Sequence, residues 1–307
     1  MLNNHNVTLS DISAIVPKNT DSKAWFEPRN YLGKRGFKYF SKSTQYLLSA
    51  YTQLNCAEGQ HLNPDTTGVV VGANYGMSDT LHNMLQTIRT EGANFLSPQA
   101  APNFCINMIA SQLSIKHKFH RFNLTLTTPK TAGLDALITG VREIRAQRAF
   151  DVLCGAAEER QPGAEINEGA TLFHLRQANA KDICSIHDIA SFFVPNWEMS
   201  GEILAQFHQH VQTQLLDLNQ AKKSSAKRLI GIFDSEATES IVGPIIKDLS
   251  IPATAKYVTL AEREHGTLDP LMVMKRTLDN SHENLFVYAS REGQLRIIET
   301  RNLTQSN

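Results

Sequence analysis

Cysteine is scarce in this chain. Cys56, Cys105, Cys154 and Cys184 are its four, widely spaced and with no C-x-x-C pair. That spacing excludes a disulfide scaffold and reads as reduced thiols in a core. Excess charge is absent as well: Lys plus Arg is 30 and Asp plus Glu is 30. A general nucleic-acid binder would carry a basic surplus, so that class is set aside. No apolar run approaches the about 18 residues of a membrane span, so no membrane partner is expected. The stretch Met1–Thr8 is polar, without the apolar core of a secretory leader, and a cytoplasmic protein is expected. Generic catalytic signatures are missing too. There is no Walker loop, no G-x-G-x-x-G and no G-x-S-x-G. Cys184 with His187 and His208 with His210 are the only metal-like spacings, and no further ligand completes either. No metal and no cofactor is expected.

What is present is ordinary globular composition: 307 residues, 41% hydrophobic and 20% charged. The length is that of about two domains or one large α/β body. The β-branched run Thr67–Gly72 reads as a buried strand, and the Val71–Gly76 turn after it as a tight turn rather than an anion cradle. Helices are expected over 43–54, from a cap at Ser78 through Arg89, and over 107–113. The clearest unit follows. Asn123–Thr127 alternates as a strand, 132–147 carries a helical apolar face from Leu134 to Ile144, and Phe150–Cys154 is a strand ending at Gly155. Strand, helix, strand predicts a mostly parallel sheet. The unit recurs. Leu134-Asp-Ala-Leu137 superposes on Leu268-Asp-Pro-Leu271, an offset of 134 residues that also places Val152-Leu153 on Phe286-Val287 and Glu158 on Glu292. Two duplicated halves are expected, 1–181 and 182–307, sharing one core.

The turn between that strand and helix is the candidate site. Orphan backbone N–H groups at a helix start favour an anion or a nucleophile. The turn carries Lys130 instead, and a cation there needs a carboxylate partner or an outlet to solvent. A lysine with a lowered pKa could act as a base or an amine nucleophile; one paired with an acid would be structural.

Several motifs in order resemble the elongating β-ketoacyl-acyl carrier protein synthases of the thiolase superfamily. Thr67–Gly76 is similar to their second core strand and turn. Ser97-Pro98 through Asn107-Met108-Ile-Ala-Ser-Gln-Leu-Ser114 is similar to their Ser-Pro segment and Asn-Met helix. Asn123-Leu-Thr-Leu-Thr-Thr-Pro-Lys-Thr-Ala-Gly133 resembles the nucleophile elbow, Phe150–Glu158 the strand ending in Gly-Gly-x-Glu, and Glu168–Leu175 the Gly-Glu-Gly-Ala strand. The resemblance implies a thiolase-like α/β fold, two duplicated halves layered α-β-α-β-α, with a shortened cap region over 160–167.

The departures matter more than the matches. The family uses one Cys and two His residues. Lys130 stands at the Cys position, Gly231–Glu236 at the first-His turn contains no His, and His265 falls near the second-His turn. Tyr288-Ala-Ser-Arg-Glu-Gly293 takes the place of the gating loop. Nucleophile, acid/base and gate are lost together, so no catalytic residue is expected. The resemblance then points to a chain-length factor: a subunit that pairs as a heterodimer with a Cys-containing ketosynthase, meets acyl carrier protein through that complex, and limits the length of a polyketide or polyene. The beginning Gly33–Ser41 is most like the bacterial aryl polyene version. On this reading Asn123, Leu124, Thr125, Leu126 and Thr127 form the dimer edge, and Phe104, Ile106, Asn107 and Met108 close the acyl tunnel. The alternatives are a residual malonyl decarboxylase or ketosynthase using Lys130 or His265, and a homodimeric acyl-thioester binding protein.

Overall fold

The computed structural model describes residues 6–17, 25–55, 62–98, 104–160, 168–179, 181–194, 227–247, 253–260, 267–278 and 282–303, with positions 205, 206, 209 and 213. The expectation for His265, and the spacing of His208 with His210, lie outside the described residues.

The strands are β1 (Val7–Ile15), β2 (Thr67–Gly72), β3 (Asn123–Leu126), β4 (Asp151–Glu158), β5 (Gly169–Gln177), β6 (Cys184–Phe193), β7 (Lys227–Phe233), β8 (Ala253–Thr259), β9 (Glu283–Ala289) and β10 (Gln294–Arg301). The helices are α1 (Arg29–Leu32), α2 (Lys42–Thr52), α3 (Ser78–Thr90), α4 (Met108–His117), α5 (Ala132–Arg145), α6 (Glu236–Lys247) and α7 (Leu268–Thr277).

The strands hydrogen-bond in the order β3-β2-β4-β5-β1-β6-β10-β9-β7-β8. The last five repeat the first five: β2 is parallel to β3 and β4, as β7 is to β8 and β9. β5 and β1 complete one set antiparallel, as β10 and β6 complete the other. The sets meet at β1 and β6, through Thr8 opposite Ser185 and Leu9 opposite Cys184. The sheet is therefore mixed, not mostly parallel. The expectation saw only the βαβ unit and missed the antiparallel returns that each half adds.

Alternation along the strands produces five layers. Val70, Val152, Cys154, Phe173, Ile230, Ile232 and Phe286 face a central core that contains Leu134 and Leu137 of α5 with Leu268 and Leu271 of α7. Val69, Val71, Leu153 and Leu172 face outward, under Leu47 of α2 and Ile109 of α4. Leu229, Phe233, Leu285 and Val287 face outward on the other side, with Val242 of α6. The repeat keeps its facing: Val152 and Phe286 point inward, Leu153 and Val287 outward.

Two boundaries differ from expectation for identifiable reasons. β4 does not stop at Gly155. A Cβ there would lie 1.9 Å from the Thr171 carbonyl oxygen, so the glycine permits close strand pairing and does not end the strand. Ser78 does not cap α3. Met77 is the cap position without a side-chain bond, and the Asp79 N–H donates 2.8 Å to Glu159, the residue after β4. Thr127 lies just past β3.

Candidate functional site

β3 ends at Leu126 and α5 begins at Ala132, so the turn between them presents Lys130. Its backbone is left-handed, with φ 61°. For a residue with a Cβ this conformation costs about 1–2 kcal/mol. The turn is drawn tight from below: a Cβ on Gly72 would lie 2.3 Å from the Ala132 carbonyl carbon. Asn74 Nδ2 donates to the Thr128 carbonyl at 3.1 Å.

Lys130 has the partners a cation at this place requires. Its Nζ donates 2.8 Å to Asp234 Oδ2 and 2.8 Å to Glu292 Oε1. Asp234 follows β7 in the Gly231–Glu236 turn, and Glu292 sits in the hairpin between β9 and β10. The Asp234 side chain is 1% exposed, that of Glu292 53%. Asp234 also accepts from Thr238 Oγ1 at 2.7 Å and from the Arg291 N–H at 3.1 and 3.0 Å. Burial raises the Asp234 pKa, but the bonds from Lys130, Thr238 and Arg291 outweigh it and hold the carboxyl below its ordinary value. Burial lowers Lys130, yet its bonds to the two carboxylates outweigh that and hold the ammonium above its ordinary value. A charged, doubly paired amine is neither a base nor a nucleophile. The turn before α5, the end of β7 and the β9–β10 hairpin are thus joined through these three side chains.

Two buried carboxylates lie behind this cluster. Glu158 accepts from the Asn74 and Tyr75 N–H groups at 2.8 and 2.6 Å and from Thr267 Oγ1 at 3.0 Å. The turn that could have cradled an anion therefore spends these two donors on the protein's own glutamate. Glu159 accepts from the Lys42 and Asp79 N–H groups, each at 2.8 Å, tying the starts of α2 and α3. Burial pushes both pKa values up to about 7, against the lowering effect of these bonds.

The expected tunnel and interface residues lie nearby. Phe104, Ile106 and Asn107 line a cleft of about 500 Å³ with Asn74, Met77, Ser78, Leu81 and Cys105. Met108 is not among its lining residues; it opens α4, half-buried. Among the described residues β3 is the outer strand of the sheet, with one side unpaired, and Leu124 on it is exposed. Helix α3 buries no residue, and Leu81, Leu85 and Ile88 are exposed along it. The spacing i, i+4, i+7 puts them on one face.

Sequence reasoning did not identify Asp234 and Glu292 as partners of Lys130. Both lie in stretches recognised as departures, at the first-histidine turn and the gate. Their separations from Lys130, 104 and 162 residues, left no local signal of contact.

Comparison with solved structures shows what this arrangement is built on. A structure of a type II polyketide synthase acyl-carrier protein in complex with its ketosynthase bound to the hexaketide superposes with a TM-score of 0.75 at 14% identity, covering 97% of this chain and 99% of that one. The fold is that of a thiolase-like ketosynthase. The ishigamide ketosynthase/chain length factor superposes at 0.70 with 17% identity over the same shares. Residues 33–179 of this chain match the family "Beta-ketoacyl synthase, N-terminal domain". Among curated relatives, the 3-oxoacyl-[acyl-carrier-protein] synthase 2 of Vibrio cholerae is 26% identical over 137 residues, 44% of this chain and 33% of that protein. The Rhizobium meliloti protein of the same name is 30% identical over 93 residues, 30% of this chain and 22% of that one. The matched stretch thus spans about a third or less of these relatives. Among the described residues, no helix is long and apolar enough to cross a membrane.

Proposed function

We propose that this chain is a non-catalytic, chain-length-factor-like subunit that pairs with a Cys-containing ketosynthase and bounds the acyl chain the pair extends. The observation that carries the reading is the Lys130–Asp234–Glu292 cluster. The groups standing where catalysis would need a thiol, a histidine and a gate are consumed in mutual ion pairs. The two halves are taken as 1–181 and 182–307; the strand repeat, with β5 ending at Gln177 and β6 opening at Cys184, supports that division.

A heterodimeric role is supported by the free edge of β3, whose N–H and C=O groups can add a strand. The exposed apolar face of α3 supports it further, because soluble chains rarely leave such a stripe bare. Similarity to a ketosynthase/chain length factor and to a ketosynthase bound to an acyl-carrier protein supports the kind of partner. On this reading Asn123–Thr127 meet the partner, and Phe104, Ile106, Asn107 and Met108 bound its acyl tunnel. The aryl polyene class is the finer form of the proposal, and it rests on the Gly33–Ser41 beginning.

Co-expression with a ketosynthase carrying an intact Cys-His-His set tests it. A 1:1 complex is expected, with the acyl group found only on the partner's cysteine. Turnover by the isolated chain would instead support residual enzyme chemistry at Lys130 or His265. A stable homodimer that binds acyl thioesters and ignores the ketosynthase would support the binding-protein reading.

A further inference from the structure

The turn 128–131 and the hairpin 290–293 belong to different halves, yet a series of bonds ties them together. Lys130 Nζ donates to Glu292 Oε1 at 2.8 Å. Thr131 Oγ1 donates to Gln294 Oε1 at 2.5 Å, and Gln294 Nε2 donates to the Pro129 carbonyl at 3.5 Å. One turn deeper, Arg296 Nε donates to Asp135 Oδ1 at 2.6 Å. The far side of the hairpin is held by the Arg291 N–H, which donates to both oxygens of the buried Asp234.

Segments that open to admit a ligand are drawn from the least bonded parts of a fold. This hairpin is the opposite case. The backbone of Lys130 is a second, independent observation. A left-handed residue with a Cβ persists only where its surroundings over-determine it. Here what surrounds it is a lysine side chain reaching across the seam to two carboxylates of the other half. The roles of the two carboxylates differ. Asp234, at the end of β7, is the buried anchor that neutralises Lys130. Glu292 is the exposed arm that fastens the hairpin to it.

We infer that Lys130, Asp234 and Glu292 form a brace that holds the 290–293 hairpin shut against the 128–131 turn, so that this side of the seam between the halves does not open as a separate unit. Lys130 is a positioning residue in this brace. The inference concerns this chain alone and holds or fails independently of the partner reading.

Hydrogen exchange read by mass spectrometry tests it on the 307-residue chain. The amides of Arg291, Gly293 and Gln294 are all hydrogen-bonded and report on the hairpin. Lys130→Met and Glu292→Gln should each speed their exchange by about tenfold or more, with β2 unchanged in Glu292→Gln. The double variant should be no faster than the faster single one, because both remove the same fastening. Unchanged hairpin exchange in both single variants would overturn the brace, and so would additive acceleration in the double. If Lys130→Met accelerates β2 as well, Glu292→Gln decides. Its half-exposed side chain can be changed without burying a charge, so hairpin acceleration there supports the brace and its absence overturns it.

Discussion

Glu158 and Glu292 are repeat mates, 134 residues apart, and each reaches across the molecule to the start of the other half's central helix. Glu158 accepts from Thr267, the cap position of α7, at 3.0 Å. Glu292 accepts at 2.8 Å from Lys130, just before α5. Duplication placed the two carboxylates alike, and their surroundings then diverged. Glu158 is fully buried and spends its oxygens on backbone N–H groups and a hydroxyl, whereas Glu292 is half exposed and holds a cation.

Removing the cation should cost stability more than activity. Lys130→Ala strands the Asp234 carboxylate, which keeps only Thr238, Ser235 and the Arg291 N–H. The expected loss is about 2–3 kcal/mol in urea unfolding. Lys130→Met with Asp234→Asn should lose less than Lys130→Ala alone, since no buried charge remains. Product formation by an intact complex should stay within about tenfold of wild type, whereas a loss near 10³ would mark a lost catalytic group.

Two carboxylate environments act on stability with opposite sign. Glu158 and Glu159 are pushed by burial from 4.5 to about 7, so the folded chain binds more protons than the unfolded one. Their contribution therefore falls as pH rises from about 4.5 to about 7. Asp234 lies below its ordinary 3.8. Its contribution is present above that value and is lost as pH falls through the lower folded value. Burial lowers His117 and His187 to about 4, and their contribution rises over the same range, so the carboxylates are read from variants rather than from the profile of the whole chain. Glu158→Gln should flatten the limb between pH 4.5 and 7, and Asp234→Asn the acid limb. A slope of the thermal midpoint between pH 4.5 and 7 that Glu158→Gln leaves unchanged would contradict this assignment.

If the cleft beside α3 bounds the acyl chain, its size sets product length. Phe104→Ala opens volume, and a packed wall does not otherwise yield. The complex should then release chains longer by one or two two-carbon units, and Ile106→Trp should shorten them. Met108→Ala should change length less than Phe104→Ala, because Met108 is not part of the cleft lining. Mass spectrometry of carrier-bound chains checks all three, with the heterodimer verified intact.

The exposed edge and stripe should prove to be covered surfaces. A stable complex should bury more than about 2,000 Å². Leu124→Asp on β3 and Leu85→Asp on α3 should each weaken it at least about tenfold, read by sedimentation or light scattering, since a charge at a buried apolar contact is left unpaired. Both side chains are exposed in the isolated chain, so its own unfolding midpoint should stay unchanged. An undiminished complex in both variants would place the interface elsewhere.

The local patterns were enough for the elements and the duplication. The short β-branched run of β2, the apolar face of α5 and the alternation around Val152-Leu153 and Phe286-Val287 are periodic signals. A side chain's facing follows from its position within one element. They were enough, too, to show that Lys130, in a turn before a helix, needs an acid. Which acid was a tertiary matter. Asp234 and Glu292 reach Lys130 only because β7 and the β9–β10 hairpin bring their ends to the start of α5 across the seam between halves. Glu159 capping two helices and the antiparallel returns that make the sheet mixed have the same origin. A contact between residues over a hundred positions apart leaves no periodic trace along the chain. It follows from how the layers stack, and only the folded molecule decides that.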